Sequence, residues 1–482
     1  MIQTSRFPNG ELAEAAELGA VTERSVRLWV RTPNTERLEA RLDVDGQPVV
    51  SAAVTLSAEH DWTGVVDLVL PGPAPNAPFT VTAGSRTLHG RFAPAPDEHA
   101  SFTFAFGSCH YPFEVDEQGV ARLRGATRIY PAIRDDLLAA DARFLLMIGD
   151  QIYADAVPPL SVRDELPGDA DHPPPHELLV DAYRRVTRGY FAESGFRSVR
   201  EALPALCMWD DHDIFNNWGS LKTETALDHR LFTAAACVFG EYQDGRNPGG
   251  GQRVPPFDYV YRFGTAGFYA TDVRSARSYE DGRLFGRAQW ERFLAFMRGE
   301  EARRLQTLFV VASVPVAHAA RWLALVFERL PGDYGAAVRD RWVSSSFRES
   351  RDEFLETLFA WQDDEPNRRV VLLSGDIHEA DALAIRRRGR PGTIWQFTSS
   401  AFTSPPSTTL RRFNWIATRF PNLFEDRFRF ERRFLLPKNN IGLVRLTARP
   451  GGGHDIRYTV RAWDRDRARL FDAAVVDVAP GS

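Results

Sequence analysis

The sequence predicts a layered α/β or α+β core following a small all-β sandwich. Two observations carry that expectation. Residues 20–92 are filled with short period-two segments between Gly/Pro turns, and after residue 100 apolar runs alternate with segments of helical period. A third observation bears on function: the apolar runs end in Cys, Asp and His.

In chain order, Val26, Leu28 and Val30 alternate with Arg27, Trp29 and Arg31, and Leu38, Ala40, Leu42 and Val44 alternate with Glu39, Arg41 and Asp43. That period gives each strand one buried and one solvated face. Asp45-Gly46 supplies a hairpin turn. Strands at 62–70, 79–84 and 86–92, around the Pro-rich PGPAPNAP, complete the small sandwich, and 93–100 reads as a linker. Beyond it, strand-like runs cover 102–109, 144–150, 205–211, 307–316 and 369–376, with helical periodicity over 127–140, 176–192, 287–302 and 352–362. Ligands in such sheets gather at the carboxyl ends of strands. Here those ends carry Cys109, Asp150, Asp211 and Asp376. Residues 402–440 are irregular, aromatic and arginine-rich, and 441–478 returns to strands.

A chain of 482 residues is too long for one ordinary core and suits about two to three domains. An apolar content of 44% with 26% charged residues excludes wholesale disorder. The 59 basic and 64 acidic residues leave a net charge of −5, which gives no reason to expect nucleic acid or an anionic membrane as the main partner. Three cysteines are too few for a disulfide framework. The first residues lack the pattern of a secretory signal, and no apolar run is long enough to cross a bilayer, so the expected location is cytoplasmic.

Four clusters carry chemistry. In Gly107-Ser108-Cys109-His110, a thiolate and an imidazole are both good transition-metal ligands, although a buried structural Cys beside a surface His fits as well. In Gly149-Asp150-Gln151-Ile152-Tyr153-Ala154-Asp155, a carboxylate at a glycine turn can bridge two cations and a phenolate can join a hard trivalent metal; the bland alternative is a helix cap. The run from Trp209 to Trp218 places Asp210, Asp211 and Asp213 around His212 and adds Asn216 and Asn217. So many like charges cost free energy unless cations or solvent compensate. In Ser374-Gly375-Asp376-Ile377-His378, the i, i+2 spacing puts Asp376 and His378 on one side of an extended segment, against a plain strand-to-loop turn as the alternative.

With FGSCH, GDQIYAD, WDDHDIFNNW and SGDIH in order across residues 101–401, the chain resembles the PhoD-like (alkaline phosphatase D) branch of the calcineurin-like metallophosphoesterases. The resemblance implies an α/β fold with a layered metallophosphoesterase β-sandwich core flanked by helices at 99–482 and an Fn3-like β-sandwich at 1–98. It implies iron (Fe3+) with calcium, or other divalent metals such as Mn, Zn or Co. Cys109, Asp150, Tyr153 and His378 would surround the iron, and Asp211, Asp376 and the shared Asp150 would serve the other cation, with Asn216 or Asn217 nearby. His212 would sit beside the substrate. Asp272-Val273-Arg274-Ser275-Ala276-Arg277 is similar to the family's D-x-R-x-x-R stretch, where Arg274 either faces phosphate or ties down a loop. His110 is an extra ligand or a bystander. Secreted members carry a twin-arginine signal that does not occur here. A C-terminal helix that joins the metal site in some relatives is not recognisable in 441–482.

The expected reaction is hydrolysis of a small-molecule phosphate ester, with a metal-activated hydroxide attacking phosphorus in line and His212 assisting the leaving group. Monoester and diester substrates are not separable from these residues. The arginine-rich 386–433 region either covers the cleft or forms a solvated face. Two rival classes are a non-catalytic phosphate-ligand binder on the same fold, and a thiol enzyme using Cys109. The second needs a base and an orienting group but no carboxylate cluster.

Overall fold

The computed structural model describes residues 6–155, 160–162, 174–220, 224–251, 254–404 and 408–478. The alternating strands near the N-terminus form two small sheets. One joins Ala15–Val21, Ser25–Arg31 and Thr63–Val69; the other joins Gln47–Thr55, Arg37–Val44, Pro78–Ala83 and Arg86–Arg91. Val26, Leu28, Val30, Ala40, Leu42, Val81 and Phe92 fill the space between them. The Asp45-Gly46 turn has both residues at positive φ, 50° and 76°, as a tight hairpin that follows the right-handed strand twist requires.

The second half of the alternation behaves differently from expectation. Trp29 is fully buried and Arg31 nearly so, because this face of the small sandwich packs on the larger unit instead of facing water. Trp29 Nε1 donates to the Glu241 carbonyl at 2.7 Å. Glu17, fully buried, pairs with Arg200 at 2.9 Å and Arg246 at 2.8 Å. Strand Ala15–Val21 shows no alternation because all seven of its residues are buried, and period-two reasoning passes over it.

The core stacks two sheets. A six-stranded sheet runs in the order Ala205–Met208, Ala142–Ile148, Phe102–Gly107, Asn440–Ala448, His454–Asp464, Arg469–Val478. A seven-stranded sheet runs Tyr259–Phe263, Ala266–Ala270, Thr307–Val311, Arg369–Ser374, Thr393–Thr398, Ala380–Arg387, Phe428–Leu436. Each central strand divides its side chains between two layers, which is why the runs read as continuously apolar. Phe144, Leu146 and Ile148 point into the layer between the sheets with Phe104, Phe268 and Phe309, while Leu145 and Met147 pack on the helices. On the other sheet Val371 and Leu373 face the inter-sheet layer and Val370 and Leu372 the outer helices. Burying each such side chain contributes roughly 1.5–3 kcal/mol.

The helices form at Ile129–Ala139, His176–Phe191 and Arg348–Asp363, close to the periodic segments. The segment 287–302 is broken at Gly299 into Arg287–Arg298 and Glu300–Arg304. The irregular 402–440 stretch contains helix Thr408–Ala417 and strand Phe428–Leu436, and the last three strands extend the six-stranded sheet rather than supplying a helix.

Register aligns the functional ends. The parallel strands pair Met147 with Gly107 and Ile148 with Met208, so Cys109, Asp150 and Asp210 leave the sheet at one level. In the other sheet Val311 pairs with Leu373, bringing Ser313 and Asp376 to the same edge. No helix among the described residues is long and apolar enough to span a membrane.

Candidate active site

Four separate strand ends meet. The donor atoms of Cys109, Asp150 and His378 lie within 4.8 Å of one another, as do those of Asp150, Asp211 and His212, and those of Asp210, Asp211 and Asp376. Asp150 belongs to two of these groups and Asp211 to two, so the three clusters form one connected set. Cys109, Asp150, Asp210 and Asp211 are buried, whereas His212, Asp376 and His378 are half-buried, so the set opens to solvent on one side.

The backbone shows how the ends are bent inward. Cys109, Asp150, Asp376 and His378 all have positive φ, between 57° and 63°, as does Asn217 at 61°. The left-handed region costs a non-glycine residue roughly 1–3 kcal/mol, and its concentration here marks a site whose geometry the surrounding structure imposes. Two glycines permit the close approach. A Cβ on Gly149 would stand 2.5 Å from the Asp210 Cβ, and one on Gly375 would stand 2.4 Å from the Ser108 Oγ and 2.9 Å from the Ile148 carbonyl oxygen.

Around Asp150, one carboxylate oxygen takes hydrogen bonds from the Cys109 thiol and the Tyr153 hydroxyl, each at 3.3 Å, and the other is buried without a partner. Tyr153 also reaches His378 Nε2 at 3.3 Å, and His378 Nδ1 meets the Ser404 hydroxyl at 3.1 Å. Burial, and then the neighbouring Cys109, Asp210 and Asp211, push the Asp150 carboxyl well above the usual carboxylate range against the pull of His212. Burial likewise raises the Cys109 thiol and lowers His378 to about 3. A buried carboxyl, thiol and phenol with a neutral imidazole, one oxygen left over, are groups that a cation would ionise and satisfy together. Asp210 adds a second buried oxygen without a hydrogen-bond partner. The donor set therefore fits metal ions: sulfur, nitrogen, phenol and carboxylate on one side, carboxylates on the other.

His212 stands apart in character. Its Nδ1 faces Asp155 Oδ1 at 2.8 Å, and its ring lies against Tyr153, tilted by 31° with centroids 4.3 Å apart. Burial works against its charge, but Asp155 and then Asp211 outweigh burial and hold the imidazolium well above the usual histidine range. Asp155 is fixed in turn by the Asn216 N–H at 2.7 Å. The Asn217 N–H donates to Asp211 Oδ2 at 2.6 Å, so its backbone orients that carboxylate.

For two residues with alternative readings, His110 and Arg274, the contacts are these. His110 is fully buried in an aromatic cage, stacked on Phe196 at 3.8 Å, with one ring nitrogen on the Tyr130 hydroxyl and the other 3.3 Å from the Tyr190 carbonyl. Both ring nitrogens have protein partners, which agrees with the bystander alternative. Arg274 is also fully buried; it pairs with Asp210, with Asp340 at 2.7 Å and with Asp211 at 3.4 Å, and donates to the Trp218 carbonyl at 3.2 Å. These contacts join three separate loops, in agreement with the loop-tying alternative. Arg277 does the same through Ser220 and the Asp340 carbonyl.

A second guanidinium at the cluster is Arg341, which ion-pairs with the half-buried Asp376. It follows Asp340 in an unremarkable RDRW stretch, and no local pattern marks it. Asp155 was visible inside GDQIYAD but without an assignable role, and Ser400, 3.1 Å from the Cys109 sulfur, lies in a segment with no chemical signature.

Stacked sheets whose strand ends pool carboxylates with a thiol, a phenol and imidazoles are the arrangement of a metal-dependent phosphoesterase. Sequence comparison gives the branch: residues 104–449 match the family model of the PhoD-like phosphatases, and the chain belongs to that family. A solved structure of PhoD superposes with a TM-score of 0.67 at 14% identity, covering 99% of this chain and 90% of that one. The purple acid phosphatase PPD1 from yellow lupin (Lupinus luteus) seeds gives a TM-score of 0.57 at 11% identity, covering 98% of this chain and 75% of that one. At such identities these two likenesses speak for the fold. No curated protein matches the chain by sequence.

Proposed function

We propose that Cys109, Asp150, Tyr153 and His378 hold one cation and Asp150, Asp211 and Asp376 another, and that the enzyme hydrolyses small-molecule phosphate esters there. The observation that supports this most is the sharing of Asp150 and Asp211 between the overlapping donor groups. A hard trivalent ion such as iron suits the phenol-containing side, and calcium or another divalent cation suits the carboxylate side. Cations in those positions would supply an acidified water and neutralise phosphoryl charge.

The chain's own groups do the remainder. His212, charged and oriented by Asp155, donates a proton through Nε2 to the leaving oxygen. Arg341 would hold a phosphoryl oxygen when Asp376 turns toward a cation, since its partner in this structure is that carboxylate. Ser404 keeps the His378 ring in place through Nδ1, leaving Nε2 for the cation. Catalysis belongs to residues 99–482, with the β-sandwich of 1–98 as a separate structural module braced against it.

Elemental analysis of purified protein, combined with rates on a chromogenic monoester and diester before and after chelation, tests the reading. Bound metal and chelator-sensitive hydrolysis are the expected results, and the ratio of the two rates assigns the substrate class. Metal-free protein with no hydrolysis after metal is restored would leave a phosphate-binding protein instead.

A further inference from the structure

The balanced charge of the whole chain conceals a local surplus. Between Thr408 and Arg433 lie seven arginines and three acids in a chain of net charge −5. The acids are each paired: Glu425 is buried against Arg351 at 3.0 Å, the exposed Asp426 pairs with Arg348, and the half-buried Glu431 pairs with Arg386 at 2.8 Å. Arg411, Arg412 and Arg419 remain exposed.

The same segment exposes large apolar side chains. Trp415 is 57% exposed, Phe420 69% and Phe424 58%, and Ile416 and Leu423 join them. Among the described residues, these are the exposed Trp and Phe side chains of the protein. Their order is regular. Arg411, Arg412, Trp415 and Ile416 fall one turn apart on a single face of helix Thr408–Ala417, while Asn414 points inward and donates to the Ile377 carbonyl at 3.3 Å. Arg419 lies over the Trp415 ring at 3.9 Å. The patch continues onto helix Arg321–Phe327, which exposes Leu325 and Val326 and is joined to it by Trp322 Nε1 on the Arg419 carbonyl at 2.8 Å.

Exposed aromatic and aliphatic residues interleaved with arginines are the composition of a surface that lies in a membrane interface: rings enter the headgroup boundary while guanidinium groups meet lipid phosphate. We infer that the face formed by helix Thr408–Ala417 and the turn through Phe424 docks on an anionic phospholipid bilayer. Charge complementarity selects this occupant. A second copy of the chain would set the same arginines against themselves, whereas an anionic leaflet supplies the opposite charge over the whole patch. Because Asn414 grips the loop between Asp376 and His378, docking places the membrane beside the candidate active site.

The test is co-sedimentation of the full-length protein with phosphatidylcholine vesicles and with vesicles containing phosphatidylglycerol. Binding to the anionic vesicles alone, weakened by salt, is the expected result. Arg411→Gln combined with Arg412→Gln should weaken it by about thirtyfold, and Trp415→Ser with Phe420→Ser should abolish it. Hydrolysis of a soluble ester by these variants should stay at the wild-type level, which separates loss of docking from misfolding. Failure to bind either vesicle overturns the inference. So does sedimentation-velocity evidence that the wild type forms a dimer which Trp415→Ser with Phe420→Ser dissociates, since the face would then belong to a second copy.

Discussion

The Asp213 carboxylate accepts a hydrogen bond from the Asp150 backbone N–H at 2.8 Å and, through the same oxygen, one from the Asp210 N–H at 2.9 Å. Its other oxygen takes the Gln243 side chain at 3.1 Å. One buried side chain thus splices two strand ends whose carboxylates must converge. Asp213→Ala leaves two buried N–H groups unsatisfied and should cost about 2–4 kcal/mol in chemical denaturation. Burial already lifts this carboxyl to about 7, so the neutral Asp213→Asn should cost much less than the alanine variant. Equal losses in the two would show that charge, not hydrogen bonding, is what the position needs.

Asp150 and His212 should separate in kinetics. Asp150→Ala removes a group common to two donor sets, and both bound metal and kcat should collapse, the latter by about a thousandfold or more. His212→Ala should retain its metal and lose about a hundredfold in kcat. Elemental analysis alongside steady-state rates checks both, and a metal-replete, active Asp150→Ala protein would falsify the site.

Glu17 couples the small sandwich to the larger unit. It sits fully buried between Arg200 and Arg246, so Glu17→Ala strands two buried cations and should destabilise the protein by about 3–5 kcal/mol. Urea unfolding followed by tryptophan fluorescence is a direct probe, because Trp29 lies in the same interface. A change below the error of the midpoint would mean that this interface contributes little.

His318 should govern part of the acid response. Burial, chiefly, lowers its pKa to about 4, against about 6.5 in an unfolded chain. Between those values the unfolded chain binds a proton that the folded protein does not, so stability is full above pH 6.5 and falls as pH drops toward 4. The slope is about 1.4 kcal/mol per pH unit. His318→Gln should remove that slope from the difference between stability profiles; an unchanged profile would place the acid sensitivity elsewhere.

The strand–helix alternation was legible because apolar period is a local property of the chain. The functional strand ends were legible because Gly-Asp and Ser-Gly-Asp turns follow apolar runs directly. Strand Ala15–Val21 was not, since a strand buried on both faces carries no alternation. The solvated face expected for Arg27, Trp29 and Arg31 was overridden by a contact with residues more than 200 positions away.

By itself, the sequence determined the layered α/β core, the reactive groups that end its strands, and the family that residues 104–449 match. Only the tertiary structure decided that Asp150 and Asp211 are shared, that His110 turns into an aromatic cage, that Arg274 is a buried tie and that Arg341 reaches Asp376. Period and turn chemistry act over a few residues. Which distant side chains touch depends on strand register and on the packing of two sheets, and those are settled by the whole fold's burial free energy.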